Sequence, residues 1–163
     1  MPLELDSWRE VDAGGDYANI AANGGVLASD TTPILRADAA ESVEISWATG
    51  NVDPIQRQFM VPPNADDTAD ATIELWVYSG VTDAATFTVE TSWDGGAKVT
   101  DSASDAGTKS ATAHKITATI AAADIPVGAT RCTLCLVPTN AHAADAYQLV
   151  GSRVLFKGTA LAA

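Results

Sequence analysis

The chain has 163 residues, 47% of them apolar, and 9 Lys and Arg against 21 Asp and Glu give a formal charge of −12. That length suits one domain whose core needs no disulfide staples. So negative a balance repels phosphate backbones and anionic lipid surfaces, which excludes nucleic acid and membrane as partners.

No apolar run approaches the ~18 residues of a membrane-spanning helix. Residues 1–6, M-P-L-E-L-D, lack the basic-then-apolar pattern of a signal peptide. The expectation is therefore an intracellular origin.

In chain order, residues 3–11 read as a first strand or extended arm. Leu3, Leu5 and Arg9 fall on one side, and Glu4, Asp6 and Trp8 on the other. Splitting the apolar content between two faces suits an arm that contacts something besides its own core. Residues 13–25 hold two Gly-Gly pairs and read as loop with a short strand at most. Residues 33–37 form a short strand. In 42–48, Val43, Ile45 and Trp47 alternate against Glu44 and Ser46. Residues 55–61 form the next strand, which Pro62-Pro63 ends because proline cannot donate to a ladder.

The clearest strand is 71–79, A-T-I-E-L-W-V-Y-S, with Ile73, Leu75 and Val77 on one face and Trp76 and Tyr78 on the other. Residues 85–93 set Phe87, Val89 and Trp93 against Thr86, Thr88 and Glu90, and Asp94-Gly95-Gly96 turns the chain into a hairpin with 97–100. Residues 101–113 read as a polar loop. Residues 114–121 alternate again, and 122–128 read as one helical turn closed by Pro126 and Gly128. Residues 130–138 are apolar on both faces, as in a central strand. The Ala-rich 141–146 suggests a short helix. Residues 147–157 close the fold as one or two strands around Gly151, and 158–163 form a tail.

About eight to ten strands and almost no helical period predict an all-β, antiparallel, jelly-roll-like β-sandwich with an extended N-terminal arm. The expected division is arm and loop at 1–30, sandwich at 31–157 and tail at 158–163.

Little in the chain can carry chemistry, so an enzyme is not expected. No G-x-S-x-G or phosphate-binding glycine loop occurs, and His114 and His142 sit in polar, Ala-rich surroundings. Cys132 and Cys135 form a C-x-x-C inside a strand rather than at a helix start, so they read as two buried apolar side chains. No cofactor is expected. Asp66, Asp67 and Asp70 are the calcium candidates, because hard cations favour clustered carboxylates, yet the twelfth position from Asp66 is Val77 and no EF-hand results. Of the four tryptophans, Trp47 and Trp93 share faces with core residues. The candidate contact residues are Leu3, Leu5, Trp8 and Arg9 on the arm and Trp76 and Tyr78 on the outward face of their strand.

The run 59–80, F-M-V-P-P-N-A-D-D-T-A-D-A-T-I-E-L-W-V-Y-S-G, with 121–138 and 148–157, resembles the β-sandwich virion proteins of tailed bacteriophages. The resemblance covers roughly 42–157 and carries no catalytic residue. It implies a structural virion protein, a capsid decoration (cement) protein that binds the outside of a phage head and bridges its subunits. Its partners would be the major capsid protein and other copies of itself, as a homo-oligomer with a trimer favoured. Its place would be the virion exterior, after assembly in the host bacterial cytoplasm. The alternative is a carbohydrate-binding or host-attachment β-sandwich module of a phage tail fibre.

Overall fold

The structure is a computed structural model. It describes residues 9–11, 17–19, 34–37, 43–80, 84–104, 112–139 and 144–158. Its strands are β1 (Arg9–Val11), β2 (Tyr17–Asn19), β3 (Ile34–Ala37), β4 (Val43–Trp47), β5 (Ile55–Met60), β6 (Ala71–Tyr78), β7 (Thr86–Trp93), β8 (Lys98–Ser104), β9 (His114–Ile120), β10 (Arg131–Pro138) and β11 (Tyr147–Leu155). A 3-10 turn at Ala122–Asp124 precedes β10.

All ladders are antiparallel. One sheet runs β2-β1-β5-β10-β7-β8 and the other β3-β4-β11-β6-β9. The protein is thus an all-β, jelly-roll-like sandwich, as the alternation predicts.

The two sheets close on side chains that alternate inward. Ile73, Leu75 and Val77 of β6 are fully buried, as are Phe87 and Val89 of β7 and Leu136 of β10. Each such side chain contributes roughly 1.5–3 kcal/mol by leaving water. Aromatic rings pin each end of the core. Phe87 packs on Trp47 (ring centroids 5.5 Å) and Tyr147 (5.6 Å), and Phe156 packs on Phe59 and Trp93 (both 6.2 Å). These offset and edge contacts suit the ring quadrupoles. Trp47 and Trp93 are core residues, and β10 is central, between β5 and β7.

Turn chemistry fixes the β7–β8 hairpin. Asp94 and Gly95 have φ of 48° and 82°, and Gly96 N–H donates to the Trp93 carbonyl at 2.7 Å. Positive φ at both central residues is what a type I′ turn requires, and its twist matches the flanking strands. The Asp94 carboxylate then accepts from Thr130 N–H (3.1 Å), Thr130 Oγ1 (2.8 Å) and Arg131 N–H (3.0 Å), tying the turn to the start of β10. Those bonds, the Thr130 hydroxyl first, hold its pKa below the usual aspartate value.

Two expectations are corrected. The polar loop expected from residue 101 begins later, because β8 runs to Ser104 and buries Ala103 against the core. Thr100 is exposed on the alternate row of that strand. Of the expected 141–146 helix, residues 144–146 are not helical and lead directly into β11, while 141–143 lie outside the described residues. Residues 9–11 form the first strand and 17–19 a short strand in the glycine-flanked loop; β1 pairs with both β2 and β5, so both continue the first sheet. Leu3, Leu5 and Trp8 lie outside the described residues, as do 105–111, His142 and the tail beyond Gly158.

Candidate functional site

Strand alternation places Thr72, Glu74, Trp76 and Tyr78 on the outer face of the second sheet. The flanking strands surround them. Glu74 stands opposite Arg153 of β11 and Thr117 of β9, and Trp76 stands opposite Gly151 and Lys115. Trp76 and Tyr78 are half-buried, unlike Trp47 and Trp93. Two residues apart on one strand, their side chains stand about 7 Å apart.

An ion triad holds the surroundings of Trp76. Glu74 is only 5% exposed although it faces outward. Its Oε1 accepts from Lys115 Nζ at 2.6 Å and its Oε2 from Arg153 Nε. The Lys115 bond foremost, then the Arg153 bond, holds the Glu74 carboxyl below the usual glutamate value. Arg153 also lies over the Trp76 ring, with Cζ 5.2 Å from its centroid. That is cation–π range, and the planar guanidinium suits it.

The Tyr78 end is built differently. The Gln148 amide nitrogen donates to the carbonyls of Ala146 and Tyr78, both at 3.1 Å, in the orientation that satisfies its bonds. At Gly80 a Cβ would lie 2.0 Å from Asp145 Oδ1, so the Asp145 carboxylate occupies the place of a side chain there. The face is therefore polarised: cations at Glu74, two aromatic side chains, then a carboxylate.

The outer face of the first sheet offers no described aromatic side chain. β5 presents Gln56, Gln58 and Met60, β7 presents Thr88, Glu90 and Ser92, and β10 presents Arg131, Thr133, Cys135 and Val137. Glu90 pairs with Lys98 at 2.6 Å. Cys132 and Cys135 are both buried free thiols on opposite faces of β10. Burial first of all pushes Cys132 up to about 12 and Cys135 up to about 11, so neither ionises at neutral pH.

The calcium candidates do not converge. Asp66 Oδ1 accepts from Thr68 N–H (3.0 Å) and Oγ1 (2.6 Å), Asp67 Oδ2 from Gly128 N–H (3.1 Å), and Asp70 Oδ1 from Ala122 N–H (2.9 Å). They bond backbone donors, and two of the three stitch this loop to the 121–128 turn. Among the described residues no three His, Cys, Asp or Glu side chains gather as a metal site needs. His114 opens β9, with Nδ1 3.0 Å from the Thr112 carbonyl oxygen.

Of the contact residues expected from the sequence, Trp76 and Tyr78 come together on one face. Arg9 falls on β1 opposite Asn19 and Gln56, in the other sheet. Glu74, Lys115, Gln148 and Arg153 were not foreseen. Glu74 is two residues from Trp76 and its face was legible, but its partners come from distant strands.

No protein-family model matches the chain, and no curated protein matches it. Solved structures do resemble its fold. The xylan-binding module CBM15 is similar at a TM-score of 0.55 and 12% identity, over 96% of this chain and 94% of that one. TmCBM27, solved as a mannan-recognising carbohydrate-binding module, is similar at 0.51 and 10%, over 94% and 91%. The Clostridium thermocellum xylanase 10B CBM22-1–GH10 modules, solved with xylohexaose, are similar at 0.54 and 11%. The chain spans 28% of that xylanase and 27% of Cellvibrio japonicus xylanase 10C. At such identities the likeness establishes a shared fold.

Proposed function

We propose that this chain is a non-catalytic carbohydrate-binding β-sandwich module whose ligand lies across the outer face of the second sheet. The observation that carries this reading is the Trp76–Tyr78 pair, two half-exposed aromatic side chains on one rigid central strand with polar side chains around them. A sugar ring presents C–H groups to an aromatic face and hydroxyls to its rim, and this arrangement suits both. The overall likeness to CBM15 and TmCBM27, which covers nearly the whole of all three chains, supports it. A host-attachment module of a phage tail fibre is the form this function takes if the sequence resemblance to virion proteins holds.

The test is titration of a panel of soluble polysaccharides, including xylan and mannan, followed by tryptophan fluorescence and calorimetry. Binding of at least one glycan is expected, weakened at least tenfold in a folded Trp76→Ala variant. Silence across the panel, or binding indifferent to Trp76, would sink the proposal.

Head decoration is the second proposal. It is favoured by the end of the sandwich where Met60 is 71% and Val127 89% exposed beside Pro62 and Pro63. The Val61–Thr130 and Asp67–Gly128 hydrogen bonds bring those loops together. Saturable co-sedimentation with expanded phage heads, lost in Met60→Glu, is its expected signature.

A further inference from the structure

From the charge pattern around Trp76 we infer that the sugar taken by this face is acidic: a uronic acid residue whose carboxylate meets Arg153 and Lys115. The inference rests on the glycan-binding reading and narrows its ligand class.

Two of the nine cations of a strongly acidic chain converge on one carboxylate. Glu74 neutralises one of them, so the triad carries a net positive charge beside two aromatic side chains. Both cations stay open to solvent, Lys115 at 46% and Arg153 at 53% of their side chains. Arg153 binds Glu74 through Nε, which leaves its two terminal amines to receive a ligand acceptor in a fork. Glu74 itself is nearly buried and bonded through both oxygens, so it orients the two cations.

Other charges do not cancel this one. The remaining outward side chains of β6, β9 and β11 are neutral: Thr72, Tyr78, Thr117, Thr119, Gln148 and Leu155. Glu44 and Arg36, one acid and one base, are register partners in the β3–β4 ladder. Asp145 lies beyond Tyr78 over Gly80, at the far end of the face. Charges elsewhere on the protein act across solvent with a screening length of about 8 Å at physiological salt. A bound uronate would therefore set its carboxylate at the Arg153 end and hydroxyl donors towards Asp145.

The experiment is calorimetric titration with oligosaccharides of galacturonic, glucuronic and mannuronic acid. Each is compared with its carboxyl-reduced counterpart, in which only the carboxylate has become a neutral alcohol. At least one acid form should bind about tenfold more tightly than its reduced form, the worth of one charge-assisted hydrogen bond at a half-exposed site. The preference should shrink in high salt and vanish in Arg153→Gln, with Lys115→Gln giving a smaller loss; unchanged circular dichroism confirms folding. Trp76→Ala should weaken both forms alike. If neutral and acid forms bind equally, the acidic-ligand inference fails and the glycan reading stands. If neither these nor any neutral glycan of the wider panel binds, both fail.

Discussion

Tyr147→Phe removes the hydroxyl that bonds the Ala84 carbonyl. The Tyr147 ring is fully buried at the start of β11, against Phe87, and its hydroxyl donates to the Ala84 carbonyl at 2.6 Å. That bond holds the approach to β7 against the other sheet. Phenylalanine keeps the ring and its packing, so no cavity term arises. The loss of the Ala84 hydrogen bond costs about 1 kcal/mol net, rising to about 2 kcal/mol because the half-buried carbonyl loses this donor. For a domain of this size the Tm should fall by roughly 3–6 °C. Urea unfolding should show a lower midpoint with an unchanged m-value, since the exposed surface on unfolding is the same. Thr117→Val, on the exposed face of β9, should stay within about 0.5 kcal/mol as a control. A loss below about 0.3 kcal/mol, or a changed m-value, would refute the reasoning.

Gly95→Ala forces a Cβ into φ of +82°, where space is open but the backbone is not favoured, so a loss of about 1 kcal/mol is expected by thermal melting. Ellman's reagent at pH 8 should find both thiols unreactive in the native protein and both reactive in guanidinium, because burial keeps Cys132 and Cys135 protonated. Folding lowers the Glu74 pKa below its ordinary 4.5, so its ion triad adds stability above that pH and loses it as pH falls further. Glu74→Gln should therefore destabilise at pH 7 and converge with the parent protein in acid, read by urea midpoints across pH. Asp101 is pushed the other way, by burial and then by Asp124, and among the described residues its buried Oδ2 has no hydrogen-bond partner. Its ionised form opposes folding at neutral pH, so Asp101→Asn should raise the urea midpoint at pH 7 and leave it unchanged at pH 3.

The sequence by itself determined where β4, β6 and β7 run and which of their residues face in. Side chains alternate along an extended backbone whatever the fold, so Ile73, Leu75 and Val77 were assigned to one face and Trp76 and Tyr78 to the other before any neighbour was known. The same rule sent Trp47 and Trp93 to the core. Only the tertiary structure decided the company Trp76 keeps. Glu74 meets Lys115 across 41 residues and Arg153 across 79, and pairing over such separations leaves no local pattern. The bulge between Leu149 and Gly151 matters most. Counted straight from the inward Tyr147 and Leu149, Arg153 would fall inside the core. One extra residue reverses the alternation and delivers it to the outer face over Trp76. A ladder irregularity of that kind arises from how two strands fit together, and β11 acquires it only when β6 is beside it.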